Sequence, residues 1–446
     1  MKTRLQNIFT RNNIKQILLD ASYILFSLSL LRLFIKQLFA TYTYDSWNIS
    51  EFLVNYQGGF VRRGLTGEIL FFIARNFNIN VEWTIKIICF ICLVMVSIFF
   101  IRAFLKKGYS LYILPLCFFL GSGIFSNDWI RKDYLFFCFF IPIIFLLYKN
   151  NLSLIMKFIV VNFLTTFIIL SHEVFAFFSI PILYLLLCNQ YKNKGIFKSI
   201  TLSLAFLLPS IFAFLSTLYF HGNHEMINSI WNSWASFVSN EPLQFNKYVN
   251  DYGPSSNAVN ALGWSLNDTV VYHIKLNFFA IQDGIISIWI WTITFPVVYY
   301  IVTNALMVFR KDKRVFTDRD KINLSTVLLF QLFCLSPIFL ILSCDYIRII
   351  FYWIASSFAI FLIIPKDNLA KLFPSVFIRF TERINLLLSN LLRPTKTSLV
   401  FLMMFIGISK YTWMINWAYG TTMLYNILWL ISKPIILLKD FLLNIL

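Results

Sequence analysis

Apolar runs broken by short polar segments recur along the whole chain, near 17–42, 81–104, 109–126, 134–149, 154–171, 174–190, 199–220, 284–308, 322–343, 349–365 and 398–418. A twelfth run near 421–438 is interrupted by Lys433 and Pro434. Most have the roughly 17 to 25 residues that a helix rising about 1.5 Å per residue needs to cross a hydrocarbon layer about 30 Å thick. The pattern predicts an all-α fold, a polytopic transmembrane helical bundle of about eleven or twelve spans. The first run is too long for a signal-peptide core and no small-residue cleavage pattern follows it, so it is expected to stay as the first span. Neither an internal repeat nor a low-complexity linker divides the chain, and residues 1–446 are expected to form a single integral membrane domain.

Composition agrees. The chain is 59% hydrophobic, 19% aromatic and only 13% charged, with mean hydropathy +0.73, whereas a soluble domain carries roughly 25% charged residues. The net charge of +18 would suit nucleic acid if it lay on one soluble face, but most Lys and Arg sit between apolar runs, so it reads as topology and no nucleic-acid partner is expected. Cys89, Cys92, Cys117, Cys138 and Cys188 lie inside apolar runs, and the Cys89-x-x-Cys92 spacing has no second pair, so they read as small core residues.

Short basic connections stay on the cytoplasmic side. Lys2, Arg4, Arg11 and Lys15 precede the first run, and with that end inside, the connections carrying Lys106 and Lys107, Lys149, Lys192 to Lys198, Arg310 to Lys321, and Lys366 to Lys396 all fall inside too. The N-terminus is therefore expected in the cytoplasm. Two long segments, about 43–80 and 221–283, then lie outside; amphipathic stretches near 225–238 and 265–280 predict short interfacial helices forming a lid. A cytoplasmic amphipathic segment at about 366–397 is expected to rest on membrane lipids, its basic residues on anionic headgroups.

Clustered ionisable residues outside the inner loops all fall on the outer side. Arg62 and Arg63 lie among Gly58, Gly59, Gly64 and Gly67; Asp128, Arg131, Lys132 and Asp133 follow the third run; His172 and Glu173 join two runs; His221, His224 and Glu225 open the large loop; Asp345 and Arg348 precede a late run. Asp345 with Arg348, and Asp128 with Arg131, have one-turn spacing, and simple ion pairing is the plainer reading of each. Arg62 and Arg63 have no nearby acid except Glu68, and glycines that admit close approach beside guanidinium forks predict an anion seat. Histidine beside a carboxylate at 172–173 could activate a hydroxyl or simply hydrogen-bond in a polar turn. His221 and His224 do not form a His-Glu-x-x-His arrangement and have no third ligand, so no metal is expected.

Gly59-Phe-Val-Arg-Arg-Gly64, Arg131-Lys-Asp133, His172-Glu173 and Asp345-Tyr-Ile-Arg348, on a many-span chain with one large outer loop, resemble the repeat-unit polymerases of O-antigen and capsule synthesis, the Wzy class of the glycosyltransferase-C-like superfamily. The related O-antigen ligases are similar too. The resemblance implies a bacterial inner-membrane enzyme that polymerises undecaprenyl-pyrophosphate-linked oligosaccharides on the periplasmic face without metal or other cofactor, alongside a chain-length regulator. It further implies that Arg62, Arg63, Arg131 and Arg348 hold the pyrophosphate and that Glu173 or His172 takes the acceptor proton. Gly59, Gly64, Lys132, Asp133, Asp345, His221 and His224 are the supporting residues. The class often places Arg in its large outer loop; here that loop has none, so the arginines must come from the other segments. Another polyprenyl-lipid-dependent glycosyltransferase and a lipid-linked-oligosaccharide flippase are the competing readings. A flippase would show internal symmetry and charge along a two-sided path.

Overall fold

A computed structural model describes residues 38–44, 46–114, 119, 129–148, 152–237, 257–279, 281–282, 285–310, 312–343 and 345–405, with isolated positions nearer the termini. Most of the expected first span and of the runs near 109–126, 398–418 and 421–438, together with Asp128, lie outside the described residues.

The rest is helical. Short α1 (Trp47–Leu53) and α2 (Gly64–Phe77) precede the long apolar α3 (Val81–Lys107), followed by α4 (Asp133–Tyr148), α5 (Leu154–Ser171), α6 (Val174–Tyr191) and α7 (Ile196–Tyr219). After α8 (His224–Trp234) and α9 (Leu266–Ile274) come α10 (Ser287–Val308), α11 (Asp318–Pro337), α12 (Tyr346–Ile363), α13 (Lys366–Leu369), α14 (Ser375–Leu391) and α15 (Lys396–Phe405). Five helices, at Val81–Lys107, Leu154–Ser171, Val174–Lys194, Ile196–Tyr219 and Asp318–Leu342, are long and apolar enough to cross a membrane, and three shorter apolar ones accompany them. The chain is thus a helical membrane protein. Its only described strands are the two-residue antiparallel pair Ile281–Gln282 and Ile285–Ile286.

The helices pack through aromatic side chains, as a chain with 51 Phe requires: Phe137, Phe178 and Phe351 lock α4, α6 and α12 together at centroid distances of 5.8 and 5.1 Å. Such pairs add roughly 0.5–1.5 kcal/mol beyond their buried area. The basic connections gather at one end, where Lys366 pairs with Asp320 at 2.7 Å and Asn368 donates to the Tyr148 hydroxyl at 2.7 Å. Residues 131–133, 171–174, 217–222 and 343–348 close the opposite ends of the same helices.

The expected amphipathic pieces are helices. Asn223 caps α8, whose Trp234 donates to the Leu53 carbonyl at 2.8 Å, while Ser265 and Asp268 form a capping box at α9. In α14, Phe377 and Thr381 face the protein while Val376, Phe380, Leu387 and Leu391 are exposed beside Arg379 and Arg383. Next to the cavity described below, α11 continues as a π-turn over Ile338–Leu342, and the buried Asn277 side chain donates to the Phe339 and Ser343 carbonyls at 3.2 and 3.0 Å. Such turns leave carbonyls without their usual helical partners.

Two outcomes test this architecture. Single cysteines replacing Lys313 and Asn228, both exposed and at opposite ends of the bundle, are expected to react with an impermeant thiol reagent from opposite membrane faces, Lys313→Cys from the cytoplasm; labelling of both from one face refutes the threading. Gly67→Ala should lower the unfolding temperature sharply, because a Cβ there would sit 1.9 Å from the Val54 carbonyl oxygen and backbone must move to admit it.

Candidate functional site

A single buried cluster is assembled from distant segments. Arg63 stands at the start of α2 with φ +66°, a left-handed conformation that non-glycine residues rarely adopt. Two contacts hold it there: its side chain grips Glu173 through Nε, at 3.0 and 2.9 Å to the two carboxylate oxygens, and through a second short N–H contact; its carbonyl accepts from Lys132 Nζ at 3.3 Å. Lys132 also donates to the Ser171 carbonyl at 3.1 Å and is fully buried, and that burial brings its ammonium down to about 8.

Glu173 is the N-cap of α6, where a carboxylate suits the helix dipole. Burial alone would raise it, but the Arg63 charge wins and holds it well below the usual carboxylate range. His172 Nδ1 accepts from the Val174 amide at 3.3 Å and its Nε2 faces Glu51 at 3.5 Å, which fixes the Nε2–H tautomer. Nδ1 also lies 3.5 Å from Glu173; the amide contact is shorter and, unlike a second donor on Nδ1, compatible with a neutral ring. Burial, reinforced by the Arg63 charge, pushes His172 well below the ordinary imidazole range.

From Glu51 the network runs on. Arg348 reaches Glu51 at 3.5 Å and Asp345 at 3.2 Å, but its principal partner is Asp133, met by Nε at 3.1 and 3.0 Å and by a terminal nitrogen at 2.7 Å. Tyr352, one turn beyond Arg348, also donates to Asp133. The Asp345–Arg348 pairing expected from spacing is present, as the weaker arm of a longer-range pair.

These groups face one cavity of about 490 Å³, lined by Arg62, Arg63, Arg131, His172, Glu173, Asp345 and Arg348. Glu173 and His172 thus share one cavity with Arg62, Arg131 and Arg348. Lys132 and Asp133 stand behind the lining. His221 and His224 do not line it, and His224 is exposed at the start of α8.

The glycines act differently from the expectation. A Cβ at Gly64 would strike the Tyr56 ring at 2.3 Å and one at Gly59 would meet Met226 at 3.2 Å, so the clearance is filled by the chain itself and not kept for a ligand. The two arginines also divide. Arg63 is consumed by Glu173, 110 residues away, whereas Glu68 instead accepts from the Tyr56 amide and Gln57 at 2.8 Å each. Arg62 has no ion pair among the described residues: one nitrogen donates to the Ala261 carbonyl at 3.0 Å, and its Nε is buried without a partner. Burial, and then the charge of Arg63, lower Arg62 to about 10. It is still a cation at neutral pH, partly buried beside another cation with its Nε out of solvent, and an anion is what would satisfy it. Among the described residues, Arg62, Arg63, Arg131, Lys132 and Arg348 gather with Glu51, Asp133, Glu173 and Asp345 at or just behind the cavity wall.

Glu51, 1% exposed and central to the network, and the cavity residues Trp47, Trp264, Tyr272, His273 and Tyr352 are not among the site residues expected from sequence. Tyr352 was readable as one helical turn from Arg348. Glu51 offered only a lone acid beside Phe52 and Leu53.

Fold and site together define a helical membrane protein with a cation-rich, aromatic-walled cavity at one end of its bundle. No family model matches the chain, and no curated protein or solved structure is similar to it.

Proposed function

We propose that this protein is a membrane glycosyltransferase that polymerises undecaprenyl-pyrophosphate-linked oligosaccharide repeat units on the periplasmic face of the bacterial inner membrane. The observation that carries the reading is Arg62, a partly buried guanidinium with an enclosed, unsatisfied Nε and no ion pair among the described residues, in one cavity with Arg131 and Arg348. Guanidinium forks match phosphate oxygens. Trp47, Trp264 and Tyr272 on the same walls offer flat faces for sugar rings, and the surrounding apolar helices suit a polyprenyl chain.

In the reaction, a hydroxyl of one repeat unit attacks the anomeric carbon of a glycan linked to lipid diphosphate. The bond to the diphosphate oxygen breaks and that oxygen takes the electron pair. Arg62, with Arg131 and Arg348 nearby, stabilises the charge that develops there. The Arg63–Glu173 pair and the Lys132 contact to Arg63 fix the backbone from which Arg62 projects.

The glycan profile of cells lacking the chain tests this. Single-repeat lipid-linked units without a ladder of longer products are expected. An unchanged ladder, or accumulation confined to the inner leaflet, refutes polymerisation.

A further inference from the structure

Every route to the product needs a group that accepts the hydroxyl proton of the attacking sugar, and the two residues flagged by sequence are poorly placed for it. Both oxygens of Glu173 are engaged by Arg63, and both ring nitrogens of His172 are committed, one accepting from the Val174 amide and the other facing Glu51. Asp133 is shared between Arg348 and Tyr352 behind the cavity wall. An acceptor must be neutral or anionic, must present a lone pair to the cavity, and must not be held by a cation.

Asp345 lines the cavity too, but Arg348 holds it at 3.2 Å, whereas His273 meets all three conditions. His273, in the last turn of α9, has Nδ1 2.7 Å from the Thr269 carbonyl one turn earlier. A carbonyl only accepts, so Nδ1 carries the hydrogen and the Nε2 lone pair is exposed. No hydrogen bond engages Nε2 among the described residues, and the ring lines the cavity with Arg62 and Arg348. Burial keeps this imidazole below its ordinary range, against the opposing pull of the Thr269 carbonyl and Asp345, so it is neutral at neutral pH. Tyr272 packs edge-on to the His273 ring at 5.2 Å and to Trp264 at 5.3 Å, and Asn277, one turn beyond His273, is tied to the carbonyls of the π-turn before Asp345.

We propose that His273 is the general base of this cavity, a catalytic residue carried on the last turn of α9. The assignment rests on the glycosyltransferase reading. As the acceptor oxygen bonds to the anomeric carbon, Nε2 takes the hydroxyl proton, the carbon–oxygen bond to the diphosphate breaks, and the leaving diphosphate keeps the electron pair beside Arg62. The imidazolium then returns its proton to water or to the departing diphosphate, and the ring is regenerated.

Membrane vesicles from cells lacking the chain, supplied with parental protein, His273→Ala, His273→Gln or Arg62→Ala at matched levels and with lipid-linked repeat units, test it through ladder formation. Removing a general base costs about 10²–10⁴-fold in rate, and added imidazole is expected to restore part of the activity of His273→Ala but none to Arg62→Ala. Diethyl pyrocarbonate on the parental protein provides a check that needs no variant to fold: mass spectrometry should find ethoxycarbonyl on His273 and not on His172, in step with lost activity. Parental rates in both His273 variants with loss in Arg62→Ala overturn the His273 assignment and leave the glycosyltransferase reading standing. A parental protein that forms no ladder overturns that reading, whereas parental rates in Arg62→Ala remove only the anion seat. A His273→Ala loss that imidazole never relieves, or modification of His172 in place of His273, removes the proton-accepting role.

Discussion

Arg62→Lys is expected to lose ladder formation almost as completely as Arg62→Ala, each by about 10²-fold or more, the cost of removing one preorganised donor from a site of developing charge. Lysine keeps the positive charge but not the planar fork: Arg62 donates to the Ala261 carbonyl through one nitrogen at 3.0 Å while its Nε remains buried and unsatisfied. An ammonium is a compact point charge on a flexible stem and cannot present two parallel, coplanar N–H groups to phosphate while a third donor is held by Ala261. Polymer length on gels, at matched protein levels in cells lacking the parental chain, decides it. Activity retained in Arg62→Ala removes the anion seat, and activity retained only in Arg62→Lys reduces the requirement to charge alone.

The second large effect concerns stability. Glu173→Leu is expected to destabilise the protein by about 3–5 kcal/mol, because it strands the Arg63 guanidinium in a buried site. Arg63→Leu leaves Glu173 equally bereft, whereas the double variant should recover much of the loss, since two apolar residues can replace a buried pair at little cost. Unfolding temperatures in detergent for the four proteins measure the coupling; additive losses mean that the contact contributes nothing specific. The same pair sets an acid limit. Glu173 is held well below its unfolded value of about 4.3, so its contribution is present above that value and disappears as pH falls through the lower folded one. Parental protein should therefore lose this stability only in strong acid, and Glu173→Gln should lose the dependence together with the stability.

Arg63 illustrates what local reading misses. By sequence it and Arg62 are twins in one glycine-rich segment, and both looked available to an anion. The left-handed backbone at Arg63 sends the neighbouring side chains apart, one to a carboxylate 110 residues away and the other into the cavity. Glu51 shows the converse: no neighbour in sequence distinguishes it, yet folding places it between His172 and Arg348. His273 is plain in sequence as one of four histidines, but its free nitrogen exists only because α9 puts the Thr269 carbonyl against the other one.

The sequence by itself determined the helical class, the lengths of the apolar spans, the gathering of basic connections at one end and of mixed charge at the other, and the amphipathic helices at 224–234, 266–274 and 375–391. These follow from local quantities: hydropathy summed over about twenty residues, caps three residues apart, and the period of the helix. Only the tertiary structure decided which cation meets which carboxylate, because Arg63–Glu173 and Arg348–Asp133 join positions 110 and 215 residues apart. The energy of a buried ion pair depends on distance and desolvation in three dimensions, and neither is encoded in spacing along the chain.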